Sequence, residues 1–245
     1  MTDEQKREAH SFYHEALSIL LESGNDFLLG GGFALFQYTG LFRDTKDLDI
    51  FCTPTQYPGL MKLFAAHGYE IVLTDVRWLA KVFKGEYYID IIFNSTNNIC
   101  IVDESWYQHA VPVVFMGLPV RLIAPEELIW SKVFIQNRER FDGADVNHVM
   151  LRYGKQLDWK RLLHRCDPYW HLLLSQLLNF QFVYPADYAE IIPRWLFDEL
   201  MQRAHEQYEL PPCQEKVCRG PLIDQTQYAV DIAEWHYKGM TIKTV

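Results

Sequence analysis

Two aspartates one residue apart, Asp47 and Asp49, alternate with Leu48 and Ile50 in an apolar run of β character. On a strand, successive side chains point to opposite faces, so both carboxylates project from one side while the leucine and isoleucine pack behind them. Carboxylates at this spacing, about 7 Å apart at their Cβ atoms, can hold one or two divalent ions that bind nucleotide phosphates. Upstream, Gly30, Gly31 and Gly32 follow the apolar Phe27-Leu28-Leu29 and open a short helical pattern. Glycines there let a backbone approach a phosphate closely, and the N–H groups and dipole of a helix N-terminus favour an anion. Each feature alone is common; a phosphate loop joined to a carboxylate platform points to nucleotide chemistry.

Further residues extend this constellation. Asp90 is the single ionisable residue between Tyr87 and Asn94, flanked by Tyr88, Ile89, Ile91 and Ile92. A carboxylate in such surroundings is costly unless it is paired, protonated or bound to a metal. Arg43 suits bidentate contact with phosphate or the fixing of a carboxylate, and Arg43 and Thr45 are equally suited to bracing the loop before the aspartates. Lys132 lies one turn from Leu128 and Ile129, on the core-facing side of a helix opened by Pro125. From there its ammonium reaches triphosphate oxygens or snorkels along apolar surface. Asp142 precedes Gly143 and caps the next helix, whose first turn holds Asp145, so both read as structural support.

The run Leu29-Gly30-Gly31-Gly32-Phe33-Ala34-Leu35, followed by Arg43-Asp44-Thr45-Lys46-Asp47-Leu48-Asp49-Ile50-Phe51, resembles the signature of the nucleotidyltransferase fold superfamily related to DNA polymerase β. Its Arg-x-Thr-x-Asp-Leu-Asp form resembles the bacterial branch that includes the AbiEii-type toxins. The resemblance covers residues from about 25 to 150. It implies that Asp47 and Asp49 bind Mg²⁺ or Mn²⁺, and that Asp90 completes the metal site and accepts the proton of an attacking hydroxyl. It further places Gly30, Gly31, Gly32, Arg43, Thr45 and Lys132 at the nucleotide. The implied reaction moves an NMP from an NTP such as ATP to a hydroxyl and releases pyrophosphate. The acceptor stays open between a tRNA or other RNA end and a small hydroxylated molecule. So does a non-catalytic nucleotide-binding or regulatory role for the same fold. A third reading, the Asp-x-Asp metal motif of nucleotide-sugar glycosyltransferases, requires a longer Rossmann-like region than the 46 residues that precede Asp47.

The elements that must position these residues follow from hydrophobic period and breakers. The first 22 residues carry an amphipathic helix ending at Ser23-Gly24-Asn25-Asp26. A buried strand at 27–29 leads into a helix from Phe33 to Tyr38, stopped near Gly40. After the aspartate strand, Pro54 and Pro58 frame a helix through about His67. Strands are expected at 70–73, 78–83, 87–93 and 99–102, and a hairpin from Val111 to Ile123 turning at Gly117. From Pro125 the period becomes helical, with helices expected at 125–138, 143–153, 157–163, 168–180 and 194–207. The expected fold is α/β (α+β): a mixed-sheet nucleotidyltransferase core over 1–124, a mainly helical region over 125–245, and the active cleft between them.

Bulk properties bound the partners. With 49% hydrophobic and 22% charged residues among 245, the chain reads as a globular protein with a full core. No apolar run is long enough to span a membrane, the N-terminus is polar, and five cysteines show no disulfide framework, all of which fit a cytoplasmic protein. A net charge of −9 excludes a general nucleic-acid coater, whose affinity would come from cationic contacts with phosphates. Lys155, Lys160, Arg161, His164 and Arg165 form the one dense basic cluster, either a patch for an RNA end or the solvated face of a helix.

Overall fold

The computed structural model describes residues 3–42 and 47–240. The chain divides into two compact units, Met1–Ala124 and Pro125–Val245. The first unit runs α1 (Asp3–Glu22), β1 (Leu28–Leu29), α2 (Gly31–Thr39), β2 (Asp47–Phe51), α3 (Tyr57–Ala66), β3 (Glu70–Asp75), β4 (Leu79–Lys84), β5 (Tyr87–Ile92), α4 (Glu104–Gln108), β6 (Val111–Phe115) and β7 (Leu118–Leu122). Its strands form one seven-stranded sheet in the order β3-β4-β5-β2-β1-β7-β6. The central β2 and β5 are parallel, as are β1 and β7, while the remaining pairs are antiparallel, so the sheet is mixed.

Strict alternation builds the sheet's core. Leu48 and Ile50 of β2 and Ile89 and Ile91 of β5 are fully buried, whereas Asp47 and Asp49 are half-buried on the opposite face. Burial of each such aliphatic side chain contributes about 1.5–3 kcal/mol, which fixes the register against a one-residue slip that would exchange the faces. The helix α1 packs on β5 and β7 through a stripe that includes Phe12, Tyr13, Ala16, Leu17 and Leu20, all buried. Tyr38 of α2 donates its hydroxyl hydrogen to the Ile123 carbonyl at 2.7 Å, tying α2 to the end of β7.

Two segments of this unit depart from the sequence expectation. No strand forms at 99–102, because side chains take the amide hydrogens that a ladder would use. The Ser95 hydroxyl accepts from the N–H groups of Ile99 and Cys100, and Asn97 Oδ1 accepts from Ile99 as well. The five-residue α4 was not expected; Asp103 caps it, its carboxylate accepting from the N–H groups of Ser105 and Trp106.

The second unit contains α5 (Pro125–Val133), α6 (Gly143–Tyr153), α7 (Trp159–Cys166), α8 (Trp170–Val183), α9 (Tyr188–Ile191), α10 (Arg194–Glu209), β8 (Val217–Cys218), α11 (Ala229–Ala233) and β9 (Lys238–Gly239). The short β8 and β9 pair in parallel. α5 ends at Val133, short of the expected 138, because the chain turns back on itself: Gln136 bridges Phe141, and the Asn137 N–H donates to the Arg140 carbonyl. No helix among the described residues is long and apolar enough to cross a membrane.

Polar pairs buried in this unit bear on two of the sequence questions. Of the basic cluster, Lys155, Lys160 and His164 are exposed, whereas the two arginines are not. Arg161 and Arg165, one turn apart on α7, face inward to Glu126 and Glu127 of α5, with Arg161 Nη1 2.7 Å from Glu127 Oε2 and Arg165 Nε 3.2 Å from Glu127 Oε1. Lys155 pairs with Glu190. The second pair centres on Lys132, whose Nζ donates to Asp142 Oδ2 at 2.5 Å and to Asp145 Oδ2 at 2.8 Å. Burial alone would raise the Asp142 carboxyl, but Arg140 and Lys132 beside it outweigh burial and hold it below the usual carboxylate range. A depressed folded pKa means stability that is complete above the unfolded value near 4 and is lost as pH falls through the folded one. Urea midpoints measured from pH 7 to pH 3 are therefore expected to fall less steeply in Asp142→Asn than in wild type at the acid end.

Candidate active site

The parallel register of β2 and β5 sets Asp49 directly beside Asp90, and Asp47 beside Tyr88. The antiparallel register of β4 and β5 sets Lys81 beside Asp90. Lys81, Asp90 and Asp49 thus stand in one row across three neighbouring strands, on a shared face. Asp47, Asp49 and Asp90 each offer a carboxylate oxygen, and the three oxygens lie within 4.8 Å of one another. Oxygen donors on rigid central strands at that separation fit a hard divalent cation, whose bonds to oxygen are about 2.0–2.1 Å for Mg²⁺.

The glycines adjoin this cluster. The Gly30 N–H donates to the Asp49 carbonyl at 2.9 Å, and the Gly30 carbonyl accepts from Ala34 as α2 begins. Gly31 has a positive φ of 55°, and a Cβ added there would lie 1.6 Å from Asp49 Oδ2; one added at Gly30 would lie 2.3 Å from the Phe51 ring. Gly31 therefore demands glycine for conformation and for space, and Gly30 for space. Gly32, the second residue of α2, is exposed. The first N–H groups of a helix have no partner one turn back, so this end of α2 can receive an anion beside the carboxylates. Gly31→Ala is expected to lower stability by about 1–3 kcal/mol through the strained φ and to displace Asp49. A urea titration paired with Mn²⁺ titration checks this, and unchanged values in both would contradict it.

The electrostatics are those of crowded negative charge, with Lys81 as a counter-ion to Asp90. Burial, the larger effect, pushes the Asp90 carboxyl above its ordinary value, and the charge of Asp47 adds to this, while Lys81 opposes both. Lys81 Nζ donates to Asp90 Oδ1 at 2.6 Å and sits 4.1 Å from the centre of the Tyr88 ring. The Tyr13 and Tyr88 hydroxyls are both pushed up, by burial first and then by the charge of Asp47.

Of the residues expected from the sequence, Asp47, Asp49, Asp90, Gly30 and Gly31 come together here. Arg43 and Thr45 lie outside the described residues. Lys132 belongs to the second unit, where its ammonium is held by Asp142 and Asp145. Sequence reasoning missed Lys81. The signal was present: a lone lysine among Leu79, Ala80, Val82 and Phe83 in an expected strand.

Among solved structures the chain is similar to the antibiotic-resistance factor ANT(2'')-Ia, with 14% identity, 81% of this chain and 97% of that one covered, and a TM-score of 0.45. It is likewise similar to the lincosamide antibiotic adenylyltransferase LnuA, with 17% identity, coverage of 61% and 96%, and a TM-score of 0.42. For JHP933 from Helicobacter pylori the values are 14% identity, coverage of 85% and 98%, and a TM-score of 0.41. No curated protein matches the chain. The sequence model of the family described as "Nucleotidyl transferase of unknown function (DUF2204)" matches residues 9–169. That match takes in the glycine run, both aspartate strands and the helices as far as α7, and by it the chain belongs to this family of nucleotidyl transferases.

Proposed function

We propose that this chain is a divalent-metal-dependent nucleotidyltransferase that transfers an NMP from an NTP to the hydroxyl of a small molecule. The observation that carries the proposal is the convergence of Asp47, Asp49 and Asp90 within 4.8 Å beside the glycine-opened end of α2. Asp47, Asp49 and Asp90 would hold Mg²⁺ or Mn²⁺, which when bound stabilises negative charge on attacking and leaving oxygens. The N–H groups of Gly31 and Gly32 receive triphosphate oxygens, and Arg43 and Thr45 extend that contact. An acceptor hydroxyl attacks the α-phosphorus, the bond from that phosphorus to the pyrophosphate oxygen breaks, and the hydroxyl proton passes to Asp90. Catalysis is assigned to residues 1–124. Lys132 is assigned a supporting role in the helical region, since its ammonium is already bonded to two carboxylates.

A small acceptor is preferred over an RNA end for two reasons. The net charge is −9, and the two arginines of the one dense basic cluster are neutralised by Glu126 and Glu127. With those two arginines neutralised, the cluster offers a nucleic acid less of the electrostatic attraction that dominates its affinity, whereas a net negative charge attracts a cationic small molecule. The test supplies each α-³²P-labelled NTP with Mg²⁺ and either total RNA or the low-molecular-weight fraction of a cell extract. Label is expected in the small-molecule fraction; label in a discrete RNA band would overturn the acceptor assignment and favour the RNA-modifying reading drawn from the AbiEii-type resemblance.

A further inference from the structure

The helical unit presents an apolar face that its own fold leaves open. α8, with the sequence WHLLLSQLLNFQFV, contains no aspartate, glutamate, lysine or arginine. A helix whose outer side faces water ordinarily carries charge there, so an uncharged outer side marks an interaction surface. α8 packs antiparallel against α10: His171 Nε2 at its start lies 2.6 Å from Gln207 Oε1 near the end of α10, and Arg203 pairs with Asp167 just before α8. Along α8, His171, Ser175, Leu178 and Phe182 recur at intervals of four, three and four, and along α10 Met201, Ala204 and Tyr208 recur at three and four. That is the seam spacing of helices that pack side by side. Phe182 is 84% exposed, Tyr208 87%, Met201 44% and Leu178 42%. Between the two helices runs a groove of about 540 Å³, where buried Leu174 is flanked by the small side chains of Ser175 and Ala204.

We propose that this face pairs with the same face of a second copy of the chain, the two α8 helices meeting antiparallel about a two-fold axis at Leu178. Three features select a second copy. The first is self-complementarity. About such an axis, the residue four after Leu178 meets the residue four before it. Phe182 of each copy therefore enters the groove beside Leu174 and Ser175 of the other, about 6 Å along the helix from the axis. The second is area. A buried aromatic side chain contributes about 150–250 Å², so Phe182 and Tyr208 with Leu178 and Met201 supply roughly 600 Å² per copy, close to the ~800 Å² per partner of a stable interface. The third is charge. Neither helix contains a lysine, and both arginines of α10 are held by carboxylates, Arg194 by Asp198 and Arg203 by Asp167 and Glu199. The face thus suits neither a nucleic acid nor an anionic membrane. Two copies of net charge −9 repel, and the uncharged α8 places at the axis the surface where that repulsion is least.

The experiment is sedimentation velocity of the full chain over about a hundredfold range of concentration from low micromolar upward, with far-UV circular dichroism of every variant. Wild type is expected to sediment as a dimer at the upper concentrations. Phe182→Glu is expected to raise the dissociation constant by about thirtyfold or more, as loss of a central anchor does, and to keep its helix content because the side chain is exposed. Val114→Glu, at an exposed site on β6, is expected to dimerise as wild type does. Leu178→Glu and Leu178→Lys are each expected to be monomeric alone and to pair when mixed, because residue 178 faces its own copy across the axis. Wild type that stays monomeric throughout overturns the proposal, whatever else the face binds. A wild-type dimer that folded Phe182→Glu leaves intact, or that Val114→Glu weakens equally, overturns the assignment to this face. Folded Leu178 variants that stay monomeric when mixed overturn the two-fold arrangement.

Discussion

Asp49→Ala is expected to lose nucleotidyl transfer by more than about a hundredfold while melting close to or above the wild-type temperature without added metal. The size follows from position: residues that only orient a metal ligand typically cost 10–100-fold in affinity or activity, and loss of a ligand itself exceeds that. Stability is expected to hold because three carboxylates whose oxygens lie within 4.8 Å repel one another, and removal of one relieves the repulsion. Activity and stability would move apart, as they do where clustered charge serves chemistry. Turnover assays paired with thermal melts check this, and an Asp49→Ala protein of wild-type turnover would remove Asp49 from the site.

The second large effect lies in the helical region. Lys132→Met is expected to destabilise the protein by about 3–5 kcal/mol, because it leaves Asp142 and Asp145, both buried, without their shared cation. That is a large part of the 5–15 kcal/mol that typically separates folded from unfolded chains, and a clear drop in urea midpoint would report it. Lys132→Met/Asp142→Asn is expected to recover part of the loss, since the second change removes one of the two buried carboxylates that shared the lost cation. A lysine that instead served the triphosphate would give a folded Lys132→Met protein with a raised KM for NTP and an unshifted midpoint.

These effects trace back unevenly to the sequence. The aspartate strand was legible because its alternation is strict: Leu48 and Ile50 are fully buried and Asp47 and Asp49 face away. Asp90 was legible as a lone charge in an apolar strand. The role of Lys81 was not, because alternation assigns a residue to a face but does not tell which strands are neighbours, and only the β4–β5 register brings Lys81 to Asp90. The same limit applies to the basic cluster. Helical period places Arg161 and Arg165 on one side of α7, but their partners Glu126 and Glu127 lie more than thirty residues away on another helix. Local polar competition explains the rest: side chains of Ser95 and Asn97 dissolve the expected strand at 99–102, and a turn closed by Asn137 and Arg140 ends α5 without a glycine or proline to announce it.

The central claim is catalysis by the acidic cluster, and pyrophosphate release tests it most directly. Purified protein is incubated with each NTP, Mg²⁺ and the low-molecular-weight fraction of a cell extract, beside Asp47→Ala/Asp49→Ala and an EDTA control. Pyrophosphate formed in stoichiometric balance with nucleotidylated product by wild type, and by neither control, is the predicted result. NTP binding by calorimetry with no pyrophosphate from any nucleotide or acceptor, RNA included, would contradict it and leave a nucleotide-binding protein that keeps the fold without turnover.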